Sequence, residues 1–307
     1  MSDLPAAEGD ERVWKTVVFK RVGTLDIKAE LLPVAGEKPR PVVVWLHGGA
    51  LINGHRESVP KWLTAACRTR NYILVSLDYR LAPETQLPEV IRDVEDGVRW
   101  VREQGPRQFN ADPQRIAVVG GSAGGYLTFT VGFRVDPPPT ALVALWGYGD
   151  LVGDWYSRPS PHPCHHSLKF TTEEALQQVK GPPISDSRDR QGNGSLFYQH
   201  CRRTGSWPKA VSGWDPHAQP EKFYPYMALK NVSKRYPPTL MIHGDQDTDV
   251  PFEQSELMAA EFRKHAVEHK LIRVAGAEHG LAGASAEVIE ATYREATEFL
   301  VKRLETP

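Results

Sequence analysis

The sequence predicts an α/β protein: a mostly parallel sheet with helices on both faces and an inserted cap. Three observations carry this expectation. Short, unbroken apolar runs recur along the chain, segments with helical spacing alternate with them, and residues 150–238 break that rhythm without a clear strand. Strands that alternate with helices pair in parallel, and parallel sheets are covered on both sides, so their strands read as continuous apolar runs.

The elements follow in chain order. Val13 to Val22 and Leu25 to Val34 are β-rich runs joined by Gly23-Thr24, the pattern of a hairpin at a sheet edge. After the loop Glu37 to Pro41, Val42-Val-Val-Trp-Leu46 is a doubly buried strand. Tyr72 to Asp78, Ile116 to Val119, Ala141 to Trp146, Thr239 to Ile242 and Lys270 to Val274 repeat the pattern. Between them, Leu87 to Glu103 sets Val90, Val94, Val98 and Val101 on one side with charges opposite, as an amphipathic helix does. Phe252 to His265 and Ala286 to Leu304 have similar spacing. A strandless interval of this length inside a compact domain is usually a lid or binding element. The expected division is therefore a core of residues 1–149 and 239–307, with residues 150–238 as an inserted cap or lid.

Composition narrows the function. Hydrophobic residues make up 40% of the 307 and charged residues 24%, the balance of a globular protein with an ample core rather than a disordered chain. Lys+Arg 37 against Asp+Glu 38 leaves a net charge of -1, without the basic surplus that a nucleic-acid partner calls for. No apolar run approaches the ~20 residues that span a bilayer. The acidic start, Met1 to Glu11, lacks the basic and apolar segments of a signal peptide and reads as loose. Three scattered cysteines, Cys67, Cys164 and Cys201, fit a reducing compartment. The expectation is a cytoplasmic protein with no nucleic-acid or membrane partner.

The chemistry concentrates in three places. Ile116 to Gly125 runs a buried strand into Gly120-Gly-Ser122-Ala-Gly124, with a helix-capable segment from Tyr126. A sharp strand-to-helix turn strains the serine and lifts its Oγ above the sheet, and flanking glycines leave room for the turn. A phosphate-binding turn would continue as Gly-x-Gly-x-x-Gly or with a Lys-Ser/Thr pair, and neither follows. A serine hydroxyl needs a base, and the base needs an orienting acid, in the chain order Ser, acid, His. Just past the last strand, Gly276-Ala-Glu-His279-Gly280 supplies the base; His265 and His269 flank a helix end and read as ordinary surface or capping residues. The acid lies in His243-Gly-Asp245-Gln-Asp247-Thr-Asp249-Val-Pro251, where three aspartates compete: Asp245 nearest the strand, Asp249 placed to cap the next helix, Asp247 between them. The charge of a tetrahedral intermediate needs backbone donors, and His47-Gly48-Gly49-Ala50, at the end of an apolar strand, has room for them; Ala123 supplies another.

With those residues in place the chain resembles an α/β-hydrolase, and within that superfamily the hormone-sensitive-lipase-like esterases. His47 to Ala50 is similar to the family's His-Gly-Gly-Gly oxyanion motif. Asp78-Tyr-Arg80-Leu-Ala-Pro-Glu84, with Pro88, Asp93 and Trp100, is similar to its Tyr-Arg-Leu-Ala-Pro-Glu segment, and Gly120 to Gly125 to its nucleophile elbow. His279 takes the place of its catalytic histidine. The chain departs at Gly121, where the family has Asp, and at Ala50, where it has a third glycine; alanine serves there if its φ is negative. The acid motif instead resembles that of prolyl-oligopeptidase-type hydrolases, which implies Asp247 as the acid.

The resemblance implies a serine carboxylesterase for short-chain acyl esters, with Ser122, Asp247 and His279 as the triad and backbone groups of Gly48, Gly49, Ala50 and Ala123 as the oxyanion hole. The partner is a small-molecule ester; no metal or organic cofactor is required, and homo-oligomerisation stays open. Trp155, Tyr156, Trp207 and Trp214 of the cap are candidates for the pocket wall, with packing in the core the equal alternative for each. An amidase, a formamidase or a carbohydrate deacetylase would use the same triad. Cys164-His165-His166 and His200-Cys201 lack zinc-ligand spacing, and Asp215-Pro-His217 reads as a turn.

Overall fold

The computed structural model describes residues 13–305, so the expectations for Met1 to Glu11 lie outside the described residues. Eight strands form one sheet: β1 (Lys15–Val22), β2 (Leu25–Leu32), β3 (Arg40–Leu46), β4 (Ile73–Leu77), β5 (Ala111–Gly121), β6 (Ala141–Leu145), β7 (Thr239–Gly244) and β8 (His269–Val274). Their order is β1-β2-β4-β3-β5-β6-β7-β8. The first two pairings, β1 with β2 and β2 with β4, are antiparallel, and the rest are parallel. The hairpin stands at the edge, where a tight turn suffices; every parallel step needs a crossover.

Alternate residues of the inner strands enter opposite layers. Val42, Val44, Leu46 and Val118 join one core cluster, and Val43, Trp45, Ala117 and Val119 the other. The first layer is covered by α2 (Leu87–Glu103), α4 (Ala123–Arg134) and α10 (Glu253–Lys264), the second by α1 (Lys61–Arg70) and α11 (Ala286–Leu304); α3 (Gly105–Phe109) is a short turn before β5. The expected bounds of α2 and α11 match, and Val90, Val94, Val98 and Val101 are all buried. Helix α4 begins at Ala123, three residues before the expected Tyr126, because the turn at Ser122 is completed in a single residue.

Residues 150–238 contain no strand among the described residues. They form α5 (Asp154–Ser157), α6 (Thr172–Gln177), α7 (Ser195–Thr204), α8 (Trp207–Ser212) and α9 (Ala228–Asn231), with short 3₁₀ turns between them. Phe197, Cys201, Trp207 and Val211 of this segment bury themselves in the first core layer. A polar seam also ties it down: the buried Arg190 guanidinium bonds both carboxylate oxygens of the buried Glu84 and the Ala82 carbonyl. No helix among the described residues is long and apolar enough to cross a membrane.

Candidate active site

The C-terminal ends of β3, β5, β6 and β7, with the loop after β8, converge on one place, as open parallel sheets generally arrange their sites. Strand β5 ends at Gly121, and Ser122 takes φ 57°, ψ -121° before α4 starts. A non-glycine residue persists in that sparsely populated region only when its surroundings hold it there. Here the Ser122 N–H donates to the Leu145 carbonyl of β6 at 2.9 Å, and the Tyr126 N–H closes on the Ser122 carbonyl at 3.0 Å. Glycine is required at 124, where any Cβ would collide with the Leu46 and His47 carbonyls, and at 120, where it would strike the Gly124 carbonyl. Gly121 differs: a Cβ there would rest on the Trp146 indole at 3.4 Å, in ordinary contact.

Ser122, His279 and Asp247 are brought together. Nε2 of His279 lies 3.1 Å from Ser122 Oγ, and Nδ1 lies 2.7 Å from Asp247 Oδ2. Of the three aspartates only Asp247 reaches Nδ1. Its other oxygen accepts the N–H groups of Asp249 and Val250 at 2.9 and 2.8 Å. Burial pushes the Asp247 pKa up, but hydrogen bonding from His243 and His279 outweighs it and holds the carboxyl below its ordinary value. His279 is also pushed by burial, toward the neutral form; the hydrogen bond to Asp247 and the charges of Asp249 and Asp247 overcome this and raise its pKa.

The neighbouring acids brace the loops. Asp245 bonds Arg273 and the Gly276 N–H at 2.8 Å each, fastening the loop that carries His279. Glu278 accepts the Thr248 N–H and hydroxyl at 2.9 and 3.0 Å. Asp249 does not cap α10; its Oδ1 accepts the Tyr198 hydroxyl at 2.5 Å and lies 2.9 Å from His165 Nε2.

The loop after β3 passes over Ser122: a Cβ on Gly48 would sit 2.8 Å from the Gly121 carbonyl oxygen and 3.2 Å from Ser122 Cβ. His47 is buried, stacks on Tyr79 at 4.2 Å and bonds the Gly48 carbonyl through Nδ1. Burial brings its pKa down to about 4, so the ring is a neutral strut at physiological pH. Among the described residues, no backbone acceptor takes up the N–H groups of Gly48, Gly49, Ala50 or Ala123. The expectation for Ala50 is corrected: its φ is +60°, in the left-handed region where the family's glycine belongs. Alanine holds that conformation at roughly 1–2 kcal/mol. The neighbouring Leu51 also has positive φ, and the Trp207 indole N–H donates to the Ala50 carbonyl at 3.0 Å.

Of the four aromatic candidates, Trp155, Tyr156 and Trp207 pack mutually and against Tyr148, with ring centroids 4.3–5.9 Å apart. Trp214 does not join them; it packs against Phe223 and Tyr226 instead. Sequence reasoning missed Tyr148, Tyr198 and His165. Tyr148 had a signal, since it follows the end of a parallel strand. His165 and Tyr198 had none, because they reach Asp249 across sequence separations of 84 and 51 residues. The other His165 nitrogen is engaged by Ser160 Oγ at 2.7 Å, and Asp215 closes a turn onto the N–H groups of His217 and Ala218. A cavity of about 510 Å³ lies elsewhere in residues 150–238, among Lys169, Phe170, Gln178 and Leu196, and shares no residue with the Ser122 cluster.

Known proteins resemble this chain over most of its length. Residues 43–181 match a family described as having the alpha/beta hydrolase fold, and residues 182–306 match the prolyl oligopeptidase family. Methylphloroacetophenone synthase of Cladonia uncialis is 25% identical over 299 residues, covering 82% of this chain and 12% of the synthase. Esterase LipC of Mycobacterium tuberculosis is 27% identical over 275 residues, covering 84% of this chain and 58% of the esterase. The chain thus spans only part of the curated relatives it matches. A solved alpha/beta hydrolase superfamily protein from Enterococcus faecalis superposes with a TM-score of 0.75 at 20% identity, over 95% of this chain and 100% of that one.

Proposed function

We propose that the chain, which has the α/β-hydrolase fold, is a serine carboxylesterase working through an acyl-enzyme on Ser122. The observation that carries the reading is the two-sided engagement of one imidazole: His279 faces Ser122 Oγ through Nε2 and Asp247 through Nδ1.

In the first half-reaction Ser122 Oγ attacks the ester carbonyl while His279 Nε2 takes its proton. Asp247 holds the Nδ1–H tautomer and favours the imidazolium that forms. The carbonyl oxygen gains a negative charge facing the N–H groups of Gly49, Ala50 and Ala123, beside Gly48. His279 then returns the proton to the leaving alcohol as the C–O bond breaks, leaving an acylated serine. Water repeats the sequence: His279 takes a water proton, the hydroxide adds to the acyl carbon, and the proton passes back to Ser122 as the acid leaves. No step calls on a metal or an organic cofactor.

Residues 150–238 act in this reading as a cap, anchored on the core by the buried cluster of Tyr148, Tyr156 and Trp207 with Trp155 packed against it, and the substrates are short acyl esters. The test is hydrolysis of p-nitrophenyl acetate and butyrate. Ser122→Ala is expected to lower kcat by roughly 10⁴-fold or more and to abolish labelling by a fluorophosphonate. Unchanged turnover in that variant overturns the reading.

A further inference from the structure

Asp249 is tied down more firmly than a loop residue needs to be. Its Oδ1 accepts the Tyr198 hydroxyl from α7 and is met by His165 Nε2, whose ring is fixed in turn by Ser160 Oγ. His165 and Ser160 are both buried. These contacts leave Oδ2 without a hydrogen bond among the described residues, 3.7 Å from Nε2 of His279. That nitrogen is the one facing Ser122 Oγ, so the ring has Asp247 beside Nδ1 and Asp249 beside Nε2.

We propose that Asp249 is a positioning carboxylate for His279, held so that its charge favours the imidazolium formed when the ring takes the Ser122 proton. The inference rests on the reading of Ser122, His279 and Asp247 as the triad. Distance separates this role from that of Asp247. At 3.7 Å the carboxylate lies beyond a hydrogen bond, so it leaves the Nε2 proton free for the leaving-group oxygen. In a partly buried site a fixed charge at that range still acts strongly on an adjacent cation.

The other groups around the two side chains fit this assignment. His279 meets Ser122 from the elbow, the edge of the Trp146 indole from the β6 loop, and the opposing charge of Arg202 on α7. Its neighbour Glu278 is committed to Thr248. Asp249 is faced by His165, Tyr198 and Arg202, with Cys164 lying against Thr248 beside it. Burial opposes the Asp249 charge, and His165, His279, Arg202 and Tyr198 together hold the carboxyl well below its ordinary range. It therefore stays ionised wherever the imidazole titrates.

The test is Asp249→Asn, which keeps the side-chain acceptor for Tyr198 and the backbone N–H for Asp247. Removing the charge lowers the His279 pKa, so the ratio of kcat/KM at about pH 5 to that at about pH 9 is expected to rise by roughly tenfold. A uniform fall at all pH values, with the acid limb unmoved, would mean Asp249 only braces the loop and would overturn the proposal. The NMR titration of the His279 ring reads the same displacement without turnover. An unmoved titration thus sinks the Asp249 role by itself, whereas absent turnover and absent Ser122 labelling in the parent protein sink the esterase reading. Should Asp249→Asn fail to fold, Asp249→Ser carries both measurements with the same expected direction.

Discussion

The indole N–H of Trp207 donates to the carbonyl of Ala50 across 157 positions of sequence, at 3.0 Å. It fastens α8 to the loop over Ser122 at the residue whose backbone is left-handed, so a local strain is held by a distant side chain. Both partners are buried, and a buried carbonyl left unpaired costs about 1–3 kcal/mol. Trp207→Phe is therefore expected to lower stability by about that amount, and kcat by roughly tenfold as the N–H groups proposed to hold the oxyanion lose their alignment. Thermal melting and ester kinetics check this, with Trp62→Phe as the control, since the Trp62 indole N–H has no partner among the described residues and the ring stacks on Tyr293 away from the site.

The elbow predicts opposite outcomes for two of its glycines. Gly124→Ala forces a methyl group into the Leu46 and His47 carbonyls, whereas Gly121→Ala sets one on the face of the Trp146 indole. The first variant is expected to lose at least ~3 kcal/mol or fail to fold, and the second to stay within ~1 kcal/mol of the parent. Denaturant unfolding of the two proteins decides it.

The raised pKa of His279 gives the pH dependence a sign. In the proposed mechanism His279 must be neutral to take the Ser122 proton, so the acid limb of kcat/KM is expected above the ordinary imidazole value of 6.5, with activity lost as pH falls through it. Stability runs the other way. The protonated ring beside Asp247 and Asp249 stabilises the fold fully below the unfolded value, and that contribution fades as pH rises through the folded one. A pH–rate profile and melting temperatures over the same range would show the two trends cross.

Much of this site was legible because it is written in local chemistry. The run from Ile116 to Gly125 needs no distant partner to announce a strand, a strained serine and a helix, and the glycines around His279 mark a loop that must come close to other backbone. Asp247 was harder, since three aspartates alternate there; what separates them is where each side chain leaves the turn, and residue identity does not encode that. The left-handed φ of Ala50 was misjudged because its support, Trp207, lies in a segment with no periodic pattern. Trp214 shares its composition and neighbourhood with Trp207 yet packs elsewhere, against Phe223 and Tyr226. The bounds of α2 and α11 came out well because an amphipathic stripe records its own burial.

The Arg190–Glu84 pair bears on how a reactant gets in. Swinging residues 150–238 away as a rigid flap would break an ion pair whose two side chains are both only 4% exposed, along with the apolar contacts of Phe197, Cys201, Trp207 and Val211. Any excursion of that segment is thereby coupled to the loss of packed side chains and of a paired charge at once, so its hinge is not free to swing on its own.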